Sequence, residues 1–300
     1  MAQYQELFNE QRERMEQRDR LLTEAFCLLE RFVGAQKLCA QQRQSQIDKR
    51  RSKKNWSRLD SFGVLCSLIN HFVEPSDDAE AEAAAAAEQL RISTREMEYS
   101  FSKLEQIRQK LADLTDCGAP EYGAGPTALQ LAEIDQRSAQ CVRQGRELAE
   151  VLYIMHRTLS CTDELQTTLA EACYQAVHAV DRYNFFDEQK RELLERALAQ
   201  LEQLKPHLEE LNRLPTGTEL RIDLPENIRD TLRDWNRFFK NPNASVVATE
   251  QIELACTNAR TLHRQLIELL DQMYVRVDAA AREWAKTMTD WQRLTEETPL

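Results

Sequence analysis

The residue types that could carry out chemistry are scattered along this chain. The histidines are spaced for no metal site with one another or with a cysteine. The eight cysteines contain no CxxC pair, so reduced thiols packed on helices are expected in place of a zinc site or a disulfide framework. We therefore predict no metal and no cofactor, and expect His156 and His178 to pack at the edge of a core. The histidines are His71, His156, His178, His207 and His263.

The sequence motifs of common enzyme classes are missing as well. The chain holds no GxxxxGK[ST], GxGxxG, GxSxG or HExxH pattern. The glycines between Cys117 and Pro126 lack the lysine and the strand–helix context of a phosphate-binding loop. Adjacent acids such as Glu209 and Glu210 recur throughout the sequence and are expected to be solvated. We predict that the protein is not an enzyme.

One cluster of charge differs from the rest of the sequence. Residues 43–58, called the basic segment below, carry seven positive side chains against Asp48 in a chain whose net charge is −11. The residues that could contact an anion are Arg43, Lys49, Arg50, Arg51, Lys53, Lys54, Trp56 and Arg58.

Four interpretations of the basic segment are open. It could be a solvated helix or linker, or its KRRSKK run could serve as a nuclear import signal. It could contact an acidic polymer such as tubulin tails, nucleic acid or an anionic membrane. It could also contact the acidic residues within 74–88 of the same chain. Because exposed ion pairs contribute only about 0–1 kcal/mol each, that last contact would be weak and sensitive to salt.

The elements that position these residues are predicted to be long helices. Only 7 glycines and 8 prolines interrupt a chain that is 42% hydrophobic and 30% charged, a composition typical of coiled coils. The charged N-terminus has no apolar signal-peptide core, and no apolar run approaches the ~18–20 residues that span a bilayer. We expect no transmembrane segment, and a cytoplasmic (cytoskeletal) or nuclear location.

The clearest apolar seam belongs to the last helix, predicted from Ser245 to Glu297. Its apolar positions follow one another in steps of three and four residues, the period of a coiled coil or a long bundle. Trp284 and Trp291 share one face, where they are expected to anchor a core or an interface with another helix. The coiled-coil seam is formed by Leu262, Leu266, Leu269, Met273, Val277, Trp284 and Trp291.

A second strict seam runs from Leu131 to Leu159. Ser138 and Gly145 occupy seam positions one heptad apart, which predicts the close approach of another helix there. Farther along, residues 160–163 could cap a new helix or continue the same one.

These patterns predict an all-α fold, an elongated antiparallel helical bundle or coiled coil of about five to seven helices, several of them very long. The first helix is expected to end near Gln46, and Pro206 is expected to kink the helix that contains it. A short helix is expected from Glu226 to Lys240, after a brief extended piece at Glu219–Leu224. The organisation predicted is an N-terminal helical hairpin over 1–115, a loop at 116–127, central coiled-coil helices over 128–213, a loop at 214–225, and a short and a long helix over 226–300.

The class of function that these seams favour is a non-enzymatic structural subunit of a multiprotein helical assembly. It would act through coiled-coil interfaces and associate with the cytoskeleton, at microtubules, the spindle or the centrosome. The expected partners are other helical or coiled-coil proteins or further copies of the chain, together with an acidic polymer such as microtubules, and no small-molecule substrate. The alternative is an adaptor or tether that contacts a polyanion through the basic segment, or a nuclear protein imported through KRRSKK.

Overall fold

The part of the chain that the computed structural model describes is entirely helical. It comprises residues 2–55, 77–115, 126–178, 187–214, 222 and 244–297, and these ranges contain no strand. The predicted all-α class is therefore confirmed. The helices are α1 (Ala2–Asn55), α2 (Asp77–Thr115), α3 (Pro126–His178), α4 (Asp187–Arg213) and α5 (Ala244–Glu297).

Helix α1 extends nine residues beyond the predicted end at Gln46, so that prediction is wrong. The residues between Gln46 and Asn55 include neither glycine nor proline, and lysine and arginine are good helix formers. The backbone of the basic segment is therefore helical as far as Asn55.

Helix α3 passes without a break through residues 160–163, where a new start was one of two possibilities. Within this stretch Thr162 Oγ1 donates to Thr158 O at 2.8 Å, and just before it Thr158 Oγ1 donates to Ile154 O at 2.9 Å. These hydroxyl groups therefore bond to the preceding turn of the same helix and do not cap a new one. Helix α3 begins at Pro126, whose fixed φ suits a first helical turn. It therefore takes in the last two residues of the loop expected at 116–127.

Helices α1 and α3 run in the same direction. Among the side-chain contacts that join them are four in which the α3 partner is 120, 117, 120 and 120 residues later in the chain than the α1 residue. A constant difference in residue number means that both chains advance together. These contacts join Gln11 to Leu131, Arg18 to Asp135, Gln36 to His156 and Arg43 to Asp163.

Helices α2 and α5 contact both members of this pair and run against them. In α2, Thr94 meets Cys39 whereas the later Phe101 meets the earlier Phe32. In α5, Asp271 pairs with Lys37 whereas the later Trp291 stacks on the earlier Phe8. Over the described ranges α2 and α5 do not contact each other, so they lie on different sides of the α1–α3 pair.

Helix α4 packs on α3 and contains Pro206. The kink expected at Pro206 stays a prediction. Asn212, in the last turn of α4, makes two hydrogen bonds with the backbone of Ile222. Its Nδ2 donates to Ile222 O at 2.9 Å, and its Oδ1 accepts from Ile222 N at 3.1 Å. The side chain of Ile222 is buried in the core.

Several predictions fall outside the described residues. They are the short helix Glu226–Lys240, the extended piece Glu219–Leu224 apart from Ile222, most of the two predicted loops, and the positions of Trp56 and Arg58.

Candidate functional site

The basic segment is only partly described. Arg43 is half-buried and makes an ion pair with Asp163 of α3, with 2.8 Å between Arg43 Nη1 and Asp163 Oδ2. Burial is the largest single influence and acts to lower the pKa of Arg43. The charge and hydrogen bond of Asp163, together with the charges of Cys39 and Glu164, outweigh it and raise the pKa above its ordinary value. The positive charge of Arg43 is therefore offset inside the molecule.

The other residues of the basic segment stay a prediction. Lys49, Arg50, Arg51, Lys53 and Lys54 lie in the helical backbone of α1, and their side chains are outside the described set. Of the acidic residues proposed to face this segment, Glu88 accepts a 2.7 Å hydrogen bond from Arg91 Nε on its own helix.

The predicted seam of α5 lies in the interior of the molecule. All seven of its residues are at most 5% exposed. Helix α5 contacts α1 and α3, and the indole Nε1 of Trp284 donates to Asp19 Oδ1 of α1 at 3.3 Å. The seam thus packs against helices of the same chain.

The two small seam positions of α3 receive side chains from neighbouring helices. Ser138 accepts a hydrogen bond from Arg18 Nη1 of α1. A Cβ at Gly145 would lie 3.5–3.7 Å from the side chains of Leu22, Leu111 and Phe26. Room for those side chains explains why small residues stand at these two positions.

Arg18 and Asp135 form a buried ion pair between α1 and α3. Arg18 Nη1 lies 2.6 Å from Asp135 Oδ1, and the two side chains are 5% and 3% exposed. Ser138 contributes as well, since its hydroxyl also donates to Asp135 O at 3.1 Å. We call Arg18, Asp135 and Ser138 the Arg18 cluster.

Sequence reasoning missed the Arg18 cluster because arginine is usually exposed. A signal was nevertheless present. The seam of α1 extends backwards from Leu22 in steps of four and three to Arg18, Met15 and Gln11, all of which are buried. A charged residue at a seam position is the pattern that predicts a buried ion pair.

A second buried polar contact joins three helices. Asp163 of α3 makes an ion pair with Arg43 of α1. Its Oδ1 also lies 3.0 Å from His263 Nε2 of α5, but the angle at this contact does not allow a hydrogen bond. The side chains of Asp163 and His263 are both less than a tenth exposed. Asp163 therefore lies where α1, α3 and α5 meet, near one end of the α1–α3 pair.

His156 packs at the junction of α1, α2 and α3, in keeping with its expected place at the core edge. Its ring centroid lies 4.2 Å from that of Phe101 and 5.8 Å from that of Phe32, and its Nδ1 lies 2.6 Å from Gln36 Oε1. Burial lowers the pKa of His156 to about 4, helped by the charge of Arg43 and opposed by Asp163. The imidazole is therefore neutral at physiological pH and donates to Gln36.

Other kinds of site find little support in the described ranges. A surface groove of about 360 Å³ runs along α1 beside Glu13, Glu16, Arg20 and Glu24, where acidic side chains predominate. None of the described helices combines the length and apolar character needed to cross a bilayer. Three or more potential ligands for a common metal ion do not come together in this part of the chain.

No protein family model, curated protein or solved structure matches the chain. The fold defines an all-helical bundle, and the contacts between its helices are the basis for the function proposed next.

Proposed function

We propose that the chain is a non-enzymatic structural subunit of a multiprotein helical assembly. Its setting is the cytoskeleton, at microtubules, the spindle or the centrosome. Its molecular form is an elongated bundle with coiled-coil packing, in which antiparallel neighbours flank the α1–α3 pair. It is placed in the cytoplasm or the nucleus.

The observation that carries this proposal is the length over which α1 and α3 remain in contact. Their side-chain contacts begin at Gln11 and continue to Arg43 on α1. At 1.5 Å per residue these contacts extend over about 50 Å. Helices paired over such a distance make a stiff spacer, which is what a subunit that separates or aligns its partners requires.

The partners proposed are other helical proteins, and they would contact the outer faces of the bundle. The seam of α5 packs against other helices of the same chain, so it is not available to bind a partner. Exposed apolar side chains on those outer faces include Ile92 and Tyr99 of α2, seven residues apart, and Val275 of α5.

Affinity purification from native extract tests this proposal. The tagged full-length chain should retain at least one helical protein at a fixed stoichiometry through a subsequent size separation. Cross-links analysed by mass spectrometry should map to the outer faces of α2 or α5. An unrelated acidic helical bundle of similar size is the control bait. A chain that purifies alone as a monomer, in several extracts and at low salt, contradicts the proposal.

A second candidate function is a tether that contacts a polyanion through the basic segment. It is favoured by the continuation of α1 to Asn55. Ala40 is the last buried apolar residue of α1 among those whose side chains are described, which extend to Ile47. The charged residues between Lys49 and Lys54 follow one another at the fixed spacing of a helix, which would suit contact with a regular array of negative charges. An acidic polymer such as microtubules is the ligand proposed, and the alternative use of KRRSKK is nuclear import.

Charge reversal tests the tether. Replacing Lys49, Arg50, Arg51, Lys53 and Lys54 by Glu should abolish co-sedimentation of the full chain with microtubules, and unchanged co-sedimentation would exclude this function. The matched control reverses five arginines whose side chains are at least 68% exposed on other parts of the bundle, and it should bind as the unmodified chain does. These control positions are Arg20, Arg213, Arg264, Arg282 and Arg293.

A further inference from the structure

We infer that the Arg18 cluster sets the register of α1 against α3. It determines which residues of the two parallel helices lie opposite each other, a choice that their apolar seams leave ambiguous. This is a conformational device within the fold, and it does not depend on the proposed function.

The ambiguity follows from the repeat of the seams. On α1 the buried residues Met15, Leu22 and Leu29 are seven residues apart, and on α3 Ile134, Cys141, Leu148 and Met155 repeat in the same way. If α1 moved along α3 by one heptad, about 10 Å, apolar residues would again face apolar residues. Burial of apolar surface alone therefore discriminates weakly between the two alignments.

The Arg18 cluster removes this ambiguity. Consider a slip of one heptad in which each residue of α3 comes to face the α1 residue seven positions after its present neighbour. Arg18 would then face Ala128 and Leu131, and Asp135 would face Ala25. All three of these neighbours are buried and apolar. Each charge would then be buried without a partner, which is far less favourable than the paired arrangement now present.

The second ion pair does not prevent that slip. The residue one heptad after Arg43 is Arg50, so the same movement would bring another arginine opposite Asp163. A slip in the other direction would bring Ala170 opposite Arg43 and Gln36 opposite Asp163, and so both ion pairs oppose it. Of these two ion pairs, only the one in the Arg18 cluster distinguishes the present register from the slipped one that Arg50 permits.

Distance measurement on the full chain tests this inference. The test variant combines Arg18→Met with Asp135→Leu, which replaces the ion pair by apolar side chains of similar size. Spin labels are attached through genetically encoded azide residues at the exposed positions 24 and 143, or 24 and 136, so the native cysteines stay in place. Positions 24 and 143 are level in the present register, and positions 24 and 136 would be level after the slip.

We expect one distance for each label pair in the unmodified chain. In the test variant a second population should appear, with the 24–143 distance longer and the 24–136 distance shorter. The exposed pair on the same helix gives the matched control, because Arg12→Met with Glu16→Leu removes a 3.3 Å ion pair whose side chains are 63% and 50% exposed. This control should keep single, unshifted distances.

A second variant exchanges the charges, Arg18→Asp with Asp135→Arg, and should keep the native distances because the pair survives in the same register. A folded test variant with single, unshifted distances would overturn the inference. Failure of the test variant to fold, judged by circular dichroism, would also overturn it, since the ion pair would then supply stability and not alignment. The same holds if the exchanged variant fails to fold or shows slipped distances.

Discussion

The Trp291 ring of α5 stacks on the Phe8 ring of α1, with centroids 5.8 Å apart and an angle of 26° between the ring planes. Both side chains are buried. The stack joins the C-terminal part of the last helix to the N-terminal part of the first, so helices far apart in sequence depend on each other at this end of the bundle.

Trp291→Ala should therefore lower the free energy of unfolding by about 3–5 kcal/mol, the cost of removing a large buried aromatic side chain. Urea denaturation followed by circular dichroism measures this change. Tyr99→Ala is the control, because that ring is 65% exposed and its loss should change stability by less than about 0.5 kcal/mol. Equal effects of the two substitutions would mean that the Phe8–Trp291 stack is not formed in solution.

His156 should make stability depend on pH. Its pKa is about 4 in the folded chain, against 6.5 for an ordinary histidine. Between these values the unfolded chain binds a proton that the folded chain does not. The contribution of His156 to the free energy of unfolding is therefore complete above pH 6.5 and is lost as the pH is lowered towards 4. The loss attributable to His156 should reach about 3 kcal/mol at the acid end of this range.

Urea denaturation from pH 7.5 to pH 4.5, with and without His156→Leu, measures this contribution. The difference between the two chains cancels the titration of carboxylates and of the other histidines. We expect the unmodified chain to lose more stability than the variant as the pH falls. If the free energies of unfolding of the two chains fell in parallel with pH, His156 would have an ordinary pKa and would not be buried between Phe32 and Phe101 in solution.

The two glycines inside described helices should respond differently to larger side chains. A Cβ at Gly34 would meet no atom within 4 Å, and one at Gly145 would make ordinary contacts at 3.5–3.7 Å. Alanine should therefore stabilise the chain by about 0.5–1 kcal/mol at either position, through helix propensity. Gly145→Leu should destabilise it by about 1–3 kcal/mol through overpacking, whereas Gly34→Leu should not. Thermal denaturation of the four variants checks this, and a destabilising Gly145→Ala would mean a closer helix approach than the structure has.

The helices themselves were predictable from the sequence because their signal is local. Steps of three and four residues between apolar positions gave α3 and α5 and their buried faces, including Trp284 and Trp291. The end of α1 was not predictable from its seam, since the clear apolar steps stop before Gln46, whereas the helix continues to Asn55 through residues of good helix propensity.

The pairing of the helices was not predictable from the same pattern. A seam specifies which residues are buried and leaves open the direction and register of the neighbour, so the parallel run of α1 beside α3 came from the structure. Arg18 and Asp135 carry the missing information, but their burial becomes visible only when the seam of α1 is extended across charged residues. For the basic segment, sequence reasoning found the charges and could not find the ion pair of Arg43 with Asp163.

Small-angle scattering of the purified full chain tests the central claim most directly, which is that the chain forms an elongated helical bundle suited to a structural subunit. A helix of 54 residues is about 80 Å long, so the maximum dimension should be at least that large. The radius of gyration should clearly exceed the ~19 Å of a compact chain of this length. A radius of gyration near that compact value, with a maximum dimension of only about 50–60 Å, would contradict the account.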